Sequence, residues 1–179
     1  STPPYEPPAG SLRGQTMLIT GANTGLGLES AKRLAAAGAR VVVTARTQSK
    51  ADGAVDRVRA YCAERNVEAP ELIGLALALS SLKSVSSLPE RLRAAAGQGV
   101  HLEVLMNNAG VMAVPERAET ADGFERTVGV NHLGHFALTA GLMPILRKAE
   151  GGFRIINVAS DAHGFVNRKQ VAAALDEKL

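Results

Sequence analysis

Cysteine is nearly absent from this chain. Cys62 stands alone among 179 residues, so no internal disulfide can form and a reducing compartment fits. Aromatic residues make up only 3%, and none are interleaved with basic ones. Blocks of a single charge are missing too, because the net charge of +3 is scattered along the chain. Both absences argue against a nucleic-acid partner. No apolar run reaches the roughly 18 residues that a membrane span requires. His132, His135 and His163 suggest a metal site. The first two are three residues apart, but no carboxylate or cysteine stands beside them as a further ligand, so no metal is expected.

What is present is a globular α/β composition, with 46% hydrophobic residues and 18 glycines. A chain of this length suits one domain, which buries roughly 70% of its extended-chain surface. The chain begins at Ser1 rather than Met, which implies processing or trimming. Its opening, "STPPYEPPAG", is Pro-rich and reads as an extended tail over residues 1–13. The tail lacks the Arg-rich amphipathic character of a transit peptide, although it suits what remains after one is removed. The expected setting is soluble and reducing: the cytoplasm, or an organelle stroma or matrix after N-terminal processing.

Short apolar segments alternate with helical ones. "TMLIT" (16–20), "RVVVTA" (40–45), "ELIGLALAL" (71–79), "LEVLMN" (102–107) and "FRIINVAS" (153–160) read as buried strands. Helices are expected from Leu26 to Gly38, from Gln48 to about Asn66 and from Leu82 to about Ala96. A long one is expected from about Asp122 to Lys148, kinked near its end by Pro144. Near-continuous apolar strands separated by helices predict a doubly wound parallel sheet of order 3-2-1-4-5, a Rossmann-like α/β fold. Residues 14–166 would form this dinucleotide-binding domain, with 167–179 a C-terminal segment at which a further region starts.

Gly21, Gly25 and Gly27 lie where the first strand meets the first helix. Glycine there permits a tight turn, backbone approach to a pyrophosphate and close helix–strand packing. The helix start offers free N–H groups and a positive dipole end to phosphates. The spacing is G-x-x-x-G-x-G rather than G-x-G-x-x-G, so an ordinary glycine-rich turn is the plain alternative. The loop nominates Gly21, Asn23, Thr24, Gly25, Leu26 and Gly27 as cofactor-binding residues. The second strand ends in "VVVTART", with Arg46 and no carboxylate before Asp52. An arginine there suits a ribose 2′-phosphate, which its planar guanidinium pairs bidentately, so NADP(H) is preferred over NAD(H). A solvated surface arginine is the alternative.

"TGANTGLG" (20–27), "NNAG" (107–110), "VNHLGHF" (130–136) and "RIINVASDAH" (154–163) occur in this order. With them the chain resembles the short-chain dehydrogenase/reductases, most of all the branch of retinol dehydrogenases and their plant, algal and WW-domain-containing relatives. The resemblance covers about residues 14–166. It implies that Asn107, Ala109 and Gly110 lie near the cofactor, with Asn107 supporting the sheet. It implies that Asn131 is the helix asparagine whose backbone disturbance positions a water in the proton relay. It also implies that Ser160 is the active-site serine, which hydrogen-bonds a substrate carbonyl as negative charge develops.

Two departures from the family stand out. The proton of its reaction comes from a Tyr-x-x-x-Lys motif after the serine, where the lysine lowers the phenol pKa. The only tyrosines here are Tyr5 and Tyr61, both before Ser160, and the chain reaches Leu179 without the motif. Ala78 in "LALSSL" stands where family members carry an aspartate that meets adenine. Two readings follow. One is an NADP(H)-dependent oxidoreductase of a small carbonyl/alcohol pair, continuing past Leu179. The other is a non-catalytic nucleotide-binding or structural subunit, with a protein partner over the exposed sheet edge. A sugar-nucleotide isomerase of the extended type fits "NNAG" and "VNHLGHF" less well.

Overall fold

The structure, a computed structural model, describes residues 5–112 and 114–160. His163 and the segment 167–179 lie outside the described residues.

Strand β1 (Thr16–Ile19) is fully buried, as its apolar, β-branched sequence requires. It pairs in parallel with β2 (Arg40–Ala45) on one side and β4 (Val104–Asn107) on the other. Strand β3 (Leu72–Ala76) lies outside β2, and β5 (Arg154–Asn157) outside β4. The order is β3-β2-β1-β4-β5, the expected one.

Alternation along the strands sends neighbouring residues to opposite layers. Met17, Ile19, Val41 and Val43 face one core, closed by α1 (Gly25–Ala36) through Leu28, Ala31 and Ala35. Helix α2 (Gln48–Glu64) completes it with Ala54, Val55, Val58 and Cys62. Leu18, Val42, Ile73, Leu75 and Leu105 face the other core. There they meet α4 (Leu88–Ala96) and α6 (Gly134–Leu146) through Leu88, Leu92, Leu138, Leu142 and Ile145.

Two helices differ from the sequence reading. The helix expected from Leu82 is broken at Ser87 into α3 (Leu82–Ser86) and α4. Ser81 caps the first piece, its hydroxyl accepting from the Ser84 N–H at 3.3 Å. Pro89 opens the second, where a missing N–H does no harm. The long helix expected from Asp122 starts only at Arg126. Residues 118–126 instead form a closed loop, in which Thr120 and Phe124 exchange backbone and hydroxyl hydrogen bonds and Gly123 takes φ +82°. A one-turn α5 (Arg126–Val128) then runs into a π turn, Gly129–Leu133, before α6 begins. The α6 helix continues through Pro144 to Leu146. Among the described residues no helix is long and apolar enough to cross a membrane.

Candidate functional site

The C-terminal ends of the strands meet two adjoining depressions, and β1 marks the place where the strand order reverses. Open α/β sheets bind ligands at such a point. The first is a groove of about 520 Å³ whose lining includes Gly21, Asn23, Thr24, Leu26, Arg46, Ala109 and Gly110, together with Leu77, Ser80, Arg126 and Val130. Among the described residues that line it there is no carboxylate, while two are arginines.

The glycine loop has the shape that a diphosphate needs. Gly21 takes φ +64°, and a Cβ there would lie 2.9 Å from the Ala109 Cα. Gly25 takes φ +55° and faces open space. Gly27 packs so closely that a Cβ would lie 2.4 Å from the Asn108 Nδ2. Helix α1 begins here after Thr24, whose side chain caps nothing, and no acidic residue stands in its first turn. Its leading N–H groups are left for an anion. From α2, the Arg57 Nη2 braces the loop by donating to the Asn23 carbonyl at 2.7 Å.

The second depression, about 1250 Å³, adjoins the first across the loop 108–111. Asn107, Asn131 and Ser160 line it, together with the apolar Val111, Met112, Phe136, Ile155 and Val158. Asn107 is buried at the end of β4, opposite Asn157 of β5. Its Nδ2 donates to the Asn157 Oδ1 at 2.8 Å and to the Thr139 Oγ1 at 3.2 Å. Asn131 lies within the π turn, which the Gly134 N–H closes on the Gly129 carbonyl. Asn131 clamps Val111 from both sides: its Oδ1 accepts from the Val111 N–H at 2.8 Å, and its Nδ2 donates to the Val111 carbonyl at 2.9 Å.

Sequence reasoning missed Thr20 and His135. The Thr20 hydroxyl oxygen accepts from the Asn108 and Ala109 N–H groups, both at 2.9 Å, and contacts the His135 Nε2 at 2.9 Å. His135 is 6% exposed. Burial holds its pKa below the ordinary value, partly offset by a hydrogen bond to the Asn131 carbonyl. No local signal pointed to it: His132, three residues earlier and at the spacing of one helix face, is exposed where His135 is buried. One residue before Arg126, the Glu125 carboxylate accepts from the Thr127 and Val128 N–H groups, which lower its pKa. Arg126 was also missed, since no motif contains it. Among the described residues no cluster of His, Cys, Asp and Glu could hold a metal ion.

A doubly wound sheet with a glycine-rich turn into an uncapped helix at the switch point defines a dinucleotide-binding domain. The family described as short chain dehydrogenase matches residues 15–173, and the chain belongs to that family, whose members bind nicotinamide cofactors. Human retinol dehydrogenase 12 is 42% identical over 152 residues, which are 85% of this chain and 45% of that protein. Mouse polyprenol dehydrogenase is 42% identical over 164 residues, covering 90% and 45%. The chain thus spans about half the length of the curated relatives it matches. Among solved structures, the RhlG/NADP active-site complex of Pseudomonas aeruginosa is similar at TM-score 0.65 and 31% identity, covering 84% of this chain and 56% of that one.

Proposed function

We propose that this chain is the nucleotide-holding part of an oxidoreductase that exchanges a hydride between NADP(H) and an apolar alcohol or its carbonyl product. The observation that carries the cofactor choice is the groove with Arg46 at the end of β2 and no carboxylate along its described wall. The nicotinamide supplies the hydride when bound. The chain's own residues bind, orient and stabilise charge. The leading N–H groups of α1, with Gly21, Asn23, Thr24, Gly25, Leu26 and Gly27 around them, receive the diphosphate. Arg46 pairs with the 2′-phosphate. Asn107, Ala109 and Gly110 border the nicotinamide ribose. Ser160 donates to the substrate oxygen. Asn131, within the π turn, would position a water for the proton relay. The apolar lining beside Ser160 supports an apolar substrate, and so do relatives named for retinol and polyprenol. The single Cys62, buried in the core, supports a reducing compartment.

A second reading is a subunit that holds the nucleotide without turnover, its β5 edge covered by a protein partner. It is favoured by Ala78, whose methyl group gives an adenine no hydrogen-bond acceptor. On the protein isolated from its native source, titration with NADPH and NADH, followed by NADPH consumption with an apolar aldehyde, separates the readings. Tighter NADPH binding with consumption above the aldehyde-free rate supports the oxidoreductase. Tighter NADPH binding without consumption supports the subunit. Equal affinity for the two cofactors removes the NADP(H) assignment.

A further inference from the structure

We propose that His135 is a positioning residue whose imidazole ties Thr20 and the Asn108–Ala109 turn to the Asn131 carbonyl of the π turn, fixing the loop that both depressions share. Its consequence for cofactor affinity rests on the NADP(H) reading above; its structural part does not.

The hydrogen bonds form a closed ring. Asn108 and Ala109 are held through the Thr20 Oγ1, at 2.9 Å each. The Asn108 Nδ2 adds a bond of 2.8 Å to the Thr20 carbonyl. Val111, at the other end of the loop, is held by the Asn131 side chain. His135 joins the two anchors, its Nε2 lying 2.9 Å from the Thr20 Oγ1 and its Nδ1 3.2 Å from the Asn131 carbonyl oxygen. Removing the imidazole opens the ring at the point where β1 meets the π turn.

Counting donors and acceptors assigns the protons. A carbonyl oxygen only accepts, so Nδ1 carries the hydrogen. The Thr20 oxygen already accepts two N–H groups, so both its lone pairs are engaged. Its own hydrogen has two candidate acceptors, the His135 Nε2 at 2.9 Å and the Met106 carbonyl at 3.4 Å. The nearer takes it, and Nε2 is left without a proton. A second proton on the ring would aim an N–H at an oxygen with no lone pair to receive it. The neutral Nδ1–H tautomer is therefore the one that completes the ring.

The test uses the 179-residue chain with 15N-labelled histidine and two variants. His135→Gln keeps a donor and an acceptor; His135→Phe fills the volume with neither. Long-range 1H–15N spectra of the wild type at neutral pH should show a protonated Nδ1 and a bare Nε2. In His135→Phe, exchange of the Asn108 and Ala109 amides should speed up and NADPH affinity should fall, each by about tenfold, as befits a buried hydroxyl that loses its nearer acceptor. His135→Gln should recover most of both. An Nε2–H tautomer or a charged ring at neutral pH overturns the proposal. Wild-type amide exchange and NADPH affinity in His135→Phe also overturn it. Should the Phe variant fail to fold, the tautomer and the Gln variant's amide exchange decide alone. If the wild type binds no NADPH, the cofactor reading falls, and tautomer and amide exchange still judge His135.

Discussion

At the scale of single residues, buried polar side chains carry most of what is specific to this site. Thr20 and His135 lie at the end of β1 and on α6, and hydrogen bonds rather than charges join them. A histidine kept neutral by burial makes stability depend on pH, and the sign follows from linkage. The unfolded ring takes up a proton as pH falls through about 6.5, whereas the folded ring, with its lowered pKa, stays neutral. The unfolded state then binds more protons, so the contribution is full above 6.5 and is lost as pH drops below it towards the folded value. The limiting slope for one proton is about 1.4 kcal/mol per pH unit. Urea unfolding from pH 7.5 to 5.5 should therefore show a stability loss in the wild type that is smaller in His135→Phe. Parallel curves for the two proteins would refute this account.

At the scale of elements, α6 contains two glycines that should answer the same substitution oppositely. A Cβ on Gly134 would stand 2.5 Å from the Leu79 carbonyl oxygen, and backbone does not step aside as a flexible side chain would. Gly134→Ala should cost about 1–3 kcal/mol. Leu79 lines the groove, so NADPH affinity should weaken with it. On Gly141 the nearest atom to a Cβ is the Pro89 Cγ, at an ordinary 3.6 Å. Gly141→Ala should stabilise by about 0.5–1 kcal/mol, because mid-helix glycine is entropically unfavourable. Thermal melts of the pair read both signs.

The breaks in these helices also show how far the sequence could be read. Runs such as "RVVVTA", short, β-branched and bounded by turns, read as buried strands, and five of them with intervening helices leave few topologies, so the sheet order was legible. The glycine turn was legible for the same local reason. The break at Ser87 was signalled by Pro89 but masked by apolar spacing that continues across it. The late start at Arg126 depends on Thr120 closing a loop and on the Asp122 carboxylate accepting from the Leu82 N–H at 2.8 Å. That contact spans 40 residues, and no local pattern reports it. The same holds for His135: its neighbour Thr20 is 115 residues away, so the sequence presents it as one more histidine on a helix.

At the scale of the whole molecule, the candidate residues gather around the C-terminal edge of one sheet. The first core is closed by α1 and α2, and the second by α4 and α6. Gly21, Arg46, Leu77, Asn108 and Val158 each lie just beyond the end of a strand, so the groove wall is assembled only when all five strands are in register. A ligand in that groove should therefore stabilise the fold as a unit. At a free NADPH concentration 100 times its Kd, mass action adds roughly 2.7 kcal/mol. For a domain of this size that raises Tm by about 5–10 °C. NADH at the same concentration should give a smaller rise, because it has no 2′-phosphate for Arg46 to pair with. Arg46→Ser should bring the NADPH shift down to the NADH one and leave the ligand-free Tm within about 1 °C, as befits an exposed side chain. Scanning fluorimetry of both proteins with both nucleotides gives all four values. If Arg46→Ser keeps the full NADPH advantage, the preference does not reside in Arg46. Arg126, the other cation of the groove, would then be the residue to substitute next.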